Sequence, residues 1–199
     1  MSEARIFDPT RKGFRSSVQP SEIVWYDEDA EVSRMCRTSR RSKAPVVMWI
    51  DGACRANGTS MARAAYGVYL GDDSQYNTSD YLPHHARQTS QAAEIYAANQ
   101  AMEIVSERIG GEICRDGVVI VTDSDYLFRA ITSYVYNWLG NGFLNAKGGP
   151  VVNGSAFRDL HSAINSWEYD NNAAWIRFWK VPRGENQDAD RLAKAVLAW

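Results

Sequence analysis

The sequence predicts an α/β fold built on a five-stranded mixed sheet. Three observations carry this. Two continuously apolar runs, VVMWID at 46–51 and VVIVTD at 118–123, each end in aspartate. Around them, strand-like runs alternate with stretches whose apolar residues recur every three or four positions. The first strands are linked by short polar loops and the later ones by helices, so the early strands make hairpins and the later ones cross over.

Taken in order, 46–51 is apolar and partly β-branched, the pattern of a central strand buried on both faces. The loop GACRANGTS leads to AAYGVYL at 64–70, a second strand, and SDYLP at 79–83 is a short third. Residues 90–109 predict a helix. Ile95, Ala98, Met102, Val105 and Ile109 form its apolar stripe, Thr89 or Ser90 its cap, and Gly110-Gly111 its stop. The fourth strand is 118–123, followed by a helix over about 125–138. A Gly/Asn-rich stretch, LGNGFLNAKGGPVVNG, ends that helix, and another is predicted over 155–167. WIRFWKV at 175–181 alternates as a half-exposed strand. The last helix, about 186–198, places Ala189, Leu192, Ala193, Val196 and Leu197 on its apolar side.

Residues 1–45 are polar, without sustained periodicity, and are expected to be an N-terminal extension to a domain at 46–199. Its apolar patch IVWY, 23–26, is expected to pack on that domain. Arg34, Arg37, Arg40, Arg41 and Lys43 form a basic arm. The extension carries nine Lys/Arg against seven Asp/Glu, the remainder thirteen against seventeen. Nucleic-acid-binding domains are usually basic, so an acidic domain must act through a local site. The arm is then either a source of sequence-independent phosphate contacts or a solvated linker.

Cys36, Cys54 and Cys114 are odd in number and form no CxxC pair, which argues against a zinc site, a disulfide framework or a disulfide-linked partner. MSEARIFDPT lacks the apolar core of a signal peptide, and no run approaches the roughly 18 apolar residues of a membrane span. The expectation is a soluble, monomeric protein without membrane contact, in the nucleus or cytoplasm.

Four acids hold the chemistry. Asp51 and Asp123 end buried strands, and in α/β sheets ligands gather at strand ends. Glu94 lies in a first helical turn, and Asp190 near the start of the last helix beside Ala189. Taken singly, each has a dull explanation as a turn residue or a dipole partner. Converging, they would repel strongly unless hard divalent cations neutralised them. Two such cations form the clamp used in phosphodiester hydrolysis.

DGACRANG, RQTSQAAE, VTDSDY, WLGNGF…AKGGPVVN and ENQDADRLA follow in order from about Val46 to the C-terminus. Together they resemble the motifs of the type-1 ribonuclease H family, close to its eukaryotic form. The resemblance implies a ribonuclease H-like fold with helices on both sheet faces, and an endonuclease that hydrolyses the RNA strand of RNA–DNA hybrids. It implies Asp51, Glu94, Asp123 and Asp190 as ligands of two Mg²⁺ ions, with Mn²⁺ an alternative. Asn57, Gln91 and the backbone near Cys54 would contact the RNA strand around its 2′-hydroxyls. Arg87, Thr89 and Asn153 would hold a phosphate of the DNA strand, and Tyr126, Tyr134 and Trp138 would line the DNA channel. For these aromatics, core packing is the competing explanation. Two features depart from the family. The segment VPRGENQDAD has Arg183 and no histidine where a catalytic-loop histidine is usual, and Lys147 is the only basic residue of the protrusion.

Two other readings compete. A non-catalytic module of this fold would bind nucleic acid or protein, but such a module would be expected to lose at least one of the four acids. Another nuclease of the same fold would not need the Asn57/Gln91 pair or the phosphate pocket.

Overall fold

The computed structural model describes residues 5–10, 18–35, 44–172 and 174–198. The early part holds a short helix α1 (Pro20–Ile23) and a hairpin of β1 (Val24–Asp27) and β2 (Val32–Met35). Then come β3 (Val46–Arg55), β4 (Arg63–Tyr69), β5 (Thr78–Tyr81) and helix α2 (Ser90–Glu103). The helix predicted over 90–109 is one continuous body whose last turns, Ile104–Ile109, widen to π geometry. The short α3 (Gly111–Cys114) precedes β6 (Val118–Thr122). The helix predicted from 125 resolves into α4 (Asp125–Arg129), a π-helical segment Ala130–Tyr134 and α5 (Val135–Asn141). Then follow α6 (Gly154–Asp170), β7 (Ile176–Lys180) and α7 (Gln187–Val196).

The five predicted strands lie side by side in the order β5-β4-β3-β6-β7. The β3–β4 and β4–β5 pairs are antiparallel, and the β3–β6 and β6–β7 pairs parallel. The sheet among the described residues has seven strands, because the N-terminal hairpin joins it. Ser33 and Arg34 of β2 pair antiparallel with Val47 and Val46 of β3, just beyond the end of β4. Those two strands were not predicted, since four-residue runs such as VWYD carry too little periodicity to register. Ile6 also bridges Phe178, adding backbone to the free edge of β7.

Strand alternation sorts the core into two faces. Val46, Met48, Ile50, Val118, Ile120, Ile176 and Phe178 point to one side, where α2 and α6 bury Ala93, Ile95, Phe157, Leu160 and Ile164 against them. Val47, Val119, Val121, Trp179 and Val181 point to the other. There α7 packs on β3, β4 and β5. The rest of that face is closed by the N-terminal segment, through Phe7 and Met35, with Ile23 and Val24 alongside. The apolar patch at 23–26 therefore packs on the domain as its composition suggested.

The basic arm needs one correction. Arg34 is not free for phosphate: its Nε donates to Asp27 Oδ2 at 2.6 Å, and Nη1 donates to the carbonyls of Ala44 and Ile113. The guanidinium ties the hairpin to the start of β3. Arg37, Arg40, Arg41 and Lys43, like Cys36, lie outside the described residues. Among the described residues no helix is long and apolar enough to cross a membrane.

Met35 is fully buried on the second face. Met35→Ala should lower the unfolding free energy by about 2–5 kcal/mol, the cost of a large-to-small change in a packed core. Denaturant melts measure this. A loss under about 1 kcal/mol would mean that the N-terminal segment is a loosely attached arm.

Candidate active site

The parallel register of β3 with β6 pairs Trp49 with Val121, so Asp51 and Asp123 fall level two residues further along. Asp51 is still within β3 and 5% exposed, while Asp123 follows the last residue of β6. Glu94 comes from α2, whose N-cap Thr89 accepts a hydrogen bond from Ala92 N at 3.2 Å. That helix can approach β3 only because residue 52 is glycine. A Cβ there would collide with the backbone of Ala93 and Glu94. Gly67, the partner of Asp51 on β4, does the same for α7: a Cβ would lie 2.5 Å from the Ala189 carbonyl oxygen. Two glycines thus admit the two helices that bring Glu94 and Asp190 to the strand ends.

Carboxylate oxygens of Asp51, Glu94 and Asp123 all lie within 4.8 Å of one another. Asp190 sits beside them, close enough to raise the Asp51 pKa by its charge and by a hydrogen bond. Burial, then the charges of Asp123 and Asp190, push the Asp51 carboxyl up to about 7. Burial and the charges of Asp51 and Asp123 likewise hold Glu94 well above the usual carboxylate range, against a partial offset from Arg183. Glu94 Oε2 is buried with no hydrogen-bond partner. A buried orphan acceptor is costly. Three converging carboxylates with an unused oxygen suit a hard divalent cation, which takes oxygen ligands and removes the repulsion.

Three further residues complete the site: Arg183 was noted in the sequence as standing where a catalytic-loop histidine is usual, while Asn186 and Lys194 were given no role there. Asn186, 1% exposed, donates from Nδ2 to the Ile50 carbonyl at 2.9 Å and to Asp123 Oδ1 at 3.3 Å, fixing the Asp123 carboxylate. Arg183 places Nε 3.9 Å from Asp123 Oδ2 and Nη2 3.7 Å from Asp190 Oδ1. Lys194 Nζ donates to Asp190 Oδ2 at 2.7 Å. The four-residue spacing of Asp190 and Lys194 on one helix was the only one of these contacts visible in the sequence.

The other expected residues fall into two groups. On the α2 side, exposed Asn57 donates to Ser90 Oγ at 3.3 Å, which puts it beside Gln91 at the helix start. Cys54 Sγ lies 3.5 Å from the Gln88 carbonyl, and burial raises its thiol pKa. On the other side, Arg87 and Asn153 line one groove of about 620 Å³ together with His85, Tyr96 and Asn99. Thr89 is not among the residues lining that groove, and its hydroxyl serves the α2 cap. Asn153 adopts a left-handed conformation (φ 60°) and donates to the Tyr126 hydroxyl at 3.3 Å. Trp138 is half-buried and contacts the rings of Tyr134, Phe143 and Phe157, so core packing accounts for much of its surface. Tyr134 stays 44% exposed.

Comparison with known proteins places the chain. Residues 43–198 match the RNase H family model. Ribonuclease H1 of Mus musculus is 30% identical over 192 residues, covering 94% of this chain and 59% of its own length. Ribonuclease H of Pelobacter propionicus is 29% identical over 154 residues, covering 77% of this chain and 85% of its own. The chain spans about three-fifths of the length of the mammalian relatives it matches. Among solved structures, LC11-RNase H1 isolated from compost superposes with a TM-score of 0.56 at 20% identity, covering 77% of this chain and 96% of that one. A foamy viral protease–reverse transcriptase in complex with dsDNA does so with 0.55 at 24% identity, covering 75% and 92%.

The crowded carboxylates give a pH prediction. Without metal, folded Asp51 keeps its proton up to about 7, whereas the unfolded chain releases it near 3.8. The folded state therefore binds more protons between those values, and stability falls as pH rises through that window. The loss is at most ~4 kcal/mol, at ~1.4 kcal/mol per pKa unit. Metal-free Asp51→Asn should melt above the wild type at pH 8, with the two converging toward pH 4. Equal melting temperatures at pH 8 would remove the repulsion argument.

Proposed function

The chain belongs to the type-1 ribonuclease H family, and on that premise we propose that it is a divalent-metal-dependent endonuclease that hydrolyses the RNA strand of RNA–DNA hybrids. The observation that carries this is the convergence of carboxylate oxygens of Asp51, Glu94 and Asp123 within 4.8 Å of one another, together with a buried, unpartnered Glu94 oxygen. Asp51, Glu94, Asp123 and Asp190 would hold two Mg²⁺ ions, with Mn²⁺ as a substitute. When bound, such a pair stabilises the attacking and leaving oxygens of a phosphodiester displacement.

The protein's own groups supply position and selectivity. Asn186 keeps the Asp123 carboxylate aimed at the cluster through its two hydrogen bonds. Asn57, Gln91 and the backbone at Cys54, gathered near the start of α2, would read the 2′-hydroxyls that separate RNA from DNA. Arg87 and Asn153, across the groove beside Tyr96, would seat a phosphate of the DNA strand through a guanidinium and an amide. Thr89, which does not line that groove, accepts from Ala92 N to cap α2 and keeps a hydroxyl proton that could reach a phosphate only at the groove's edge. Tyr134, whose exposed ring rests against Trp138, would line the DNA channel.

Labelled hybrid incubated with Mg²⁺ or Mn²⁺ should be cut internally in its RNA strand while the DNA stays intact. Asp123→Asn should abolish this and leave the fold unimpaired. Retention of more than about a tenth of wild-type turnover, a barrier change below ~1.4 kcal/mol, would count against the assignment. Arg87→Ala should weaken hybrid binding by roughly 1–3 kcal/mol, the scale of a charge-assisted hydrogen bond. An unchanged affinity in direct titration would take Arg87 out of the site.

A further inference from the structure

Asp190 adjoins Asp51 through a hydrogen bond but differs from the other three acids in being paired with a lysine. The carboxylate oxygens of Asp51, Glu94 and Asp123 form one set within 4.8 Å, and Asp190 is not part of it. Both its oxygens face cations: Oδ2 lies 2.7 Å from Lys194 Nζ and Oδ1 lies 3.7 Å from Arg183 Nη2. Arg183 also reaches Asp123, 3.9 Å away. Four carboxylates against these two cations give a formal charge of −2, which one divalent ion neutralises. A second divalent ion would leave an excess of two positive charges, reduced to one if Lys194 withdrew and to none if Arg183 withdrew as well.

The geometry points to Lys194 as an internal counter-cation that holds Asp190 and sets the affinity of the site for its second divalent ion. This rests on the metal-site reading above and concerns the step from one ion to two. The first ion finds the Asp51–Glu94–Asp123 set unclaimed by lysine. A second would draw on Asp190, whose Oδ2 Lys194 already holds. The exchange needs no rearrangement of the fold. Lys194 lies one helical turn after Asp190 on the same face of α7, and its side chain is 59% exposed on a flexible stem. The ammonium can swing into water as the ion arrives. Arg183, 78% exposed, is similarly free to move. In the metal-free protein the same contact relieves the crowding by giving Asp190 a partner.

The test uses the whole chain without nucleic acid, titrated with Mn²⁺ while free ion is followed by electron paramagnetic resonance. In Lys194→Gln the weaker class of Mn²⁺ binding should tighten by up to about fivefold, the scale of an exposed ion pair. The tighter class should be unchanged, and Lys194→Arg should restore the wild-type isotherm. In an Asp190→Asn background, adding Lys194→Gln should have no effect. The inference is overturned if the Lys194→Gln and wild-type isotherms coincide, if both bind a single ion, or if only the tighter class responds. An effect that persists without the Asp190 carboxylate also overturns it, since Lys194 would then act as a general surface charge. Because the readout is ion binding, a chain that showed this behaviour yet left hybrid uncut would refute the nuclease reading alone.

Discussion

The parallel ladder between β3 and β6 is the constraint on which the site depends. It sets Asp51 level with Asp123 at the ends of two adjacent buried strands, so two like charges meet where water is scarce. Burial and mutual repulsion hold the Asp51 carboxyl near 7 and Glu94 above its usual range. A backbone free to relax would separate these groups. Here each strand is hydrogen-bonded on both sides and packed on both faces, so the charges stay close and the site stays poised for a cation.

The remaining parts of the site are consequences of close approach. Gly52 and Gly67 open the sheet surface to the backbones of α2 and α7. A methyl group at either position would displace the helix that delivers Glu94 or Asp190. Asn186, at the start of α7, then bonds both to the Ile50 carbonyl, one residue before Asp51, and to Asp123. A single buried amide thereby ties the last helix to the two strands that carry the central aspartates.

The sheet's second face shows how the N-terminal segment is used. α7 covers β3, β4 and β5, but Val119, Val121 and Trp179 would be left in water beyond its reach. Phe7 and Met35 close that gap, while Arg34 binds Asp27 and two carbonyls to hold the hairpin in place. The segment set apart by its polarity thus contributes two strands and part of a core to the same sheet.

Much of this was legible in residue order alone. The five central strands, the helices between them and the four acids are local patterns: β-branched runs ending in aspartate, a 3-4-3-4 apolar stripe, a capping threonine. Local patterns report which faces are buried, and the family motifs added which acids to watch. What they omit is everything set by contacts between distant segments. The β1–β2 hairpin is too short to show periodicity and exists because β3 offers it an edge. Arg34 looked like one of five free cations until Asp27 and the start of β3 were placed beside it. Asn186 was visible as a letter in a motif, but its bond to Asp123 spans 63 residues and exists only once β6 and α7 are packed. Sequence determined the elements and the acids, because helix and strand periods are read within a few residues. Tertiary structure decided which charges share a site and which are taken up by partners, because electrostatic energies depend on distances in space and on burial.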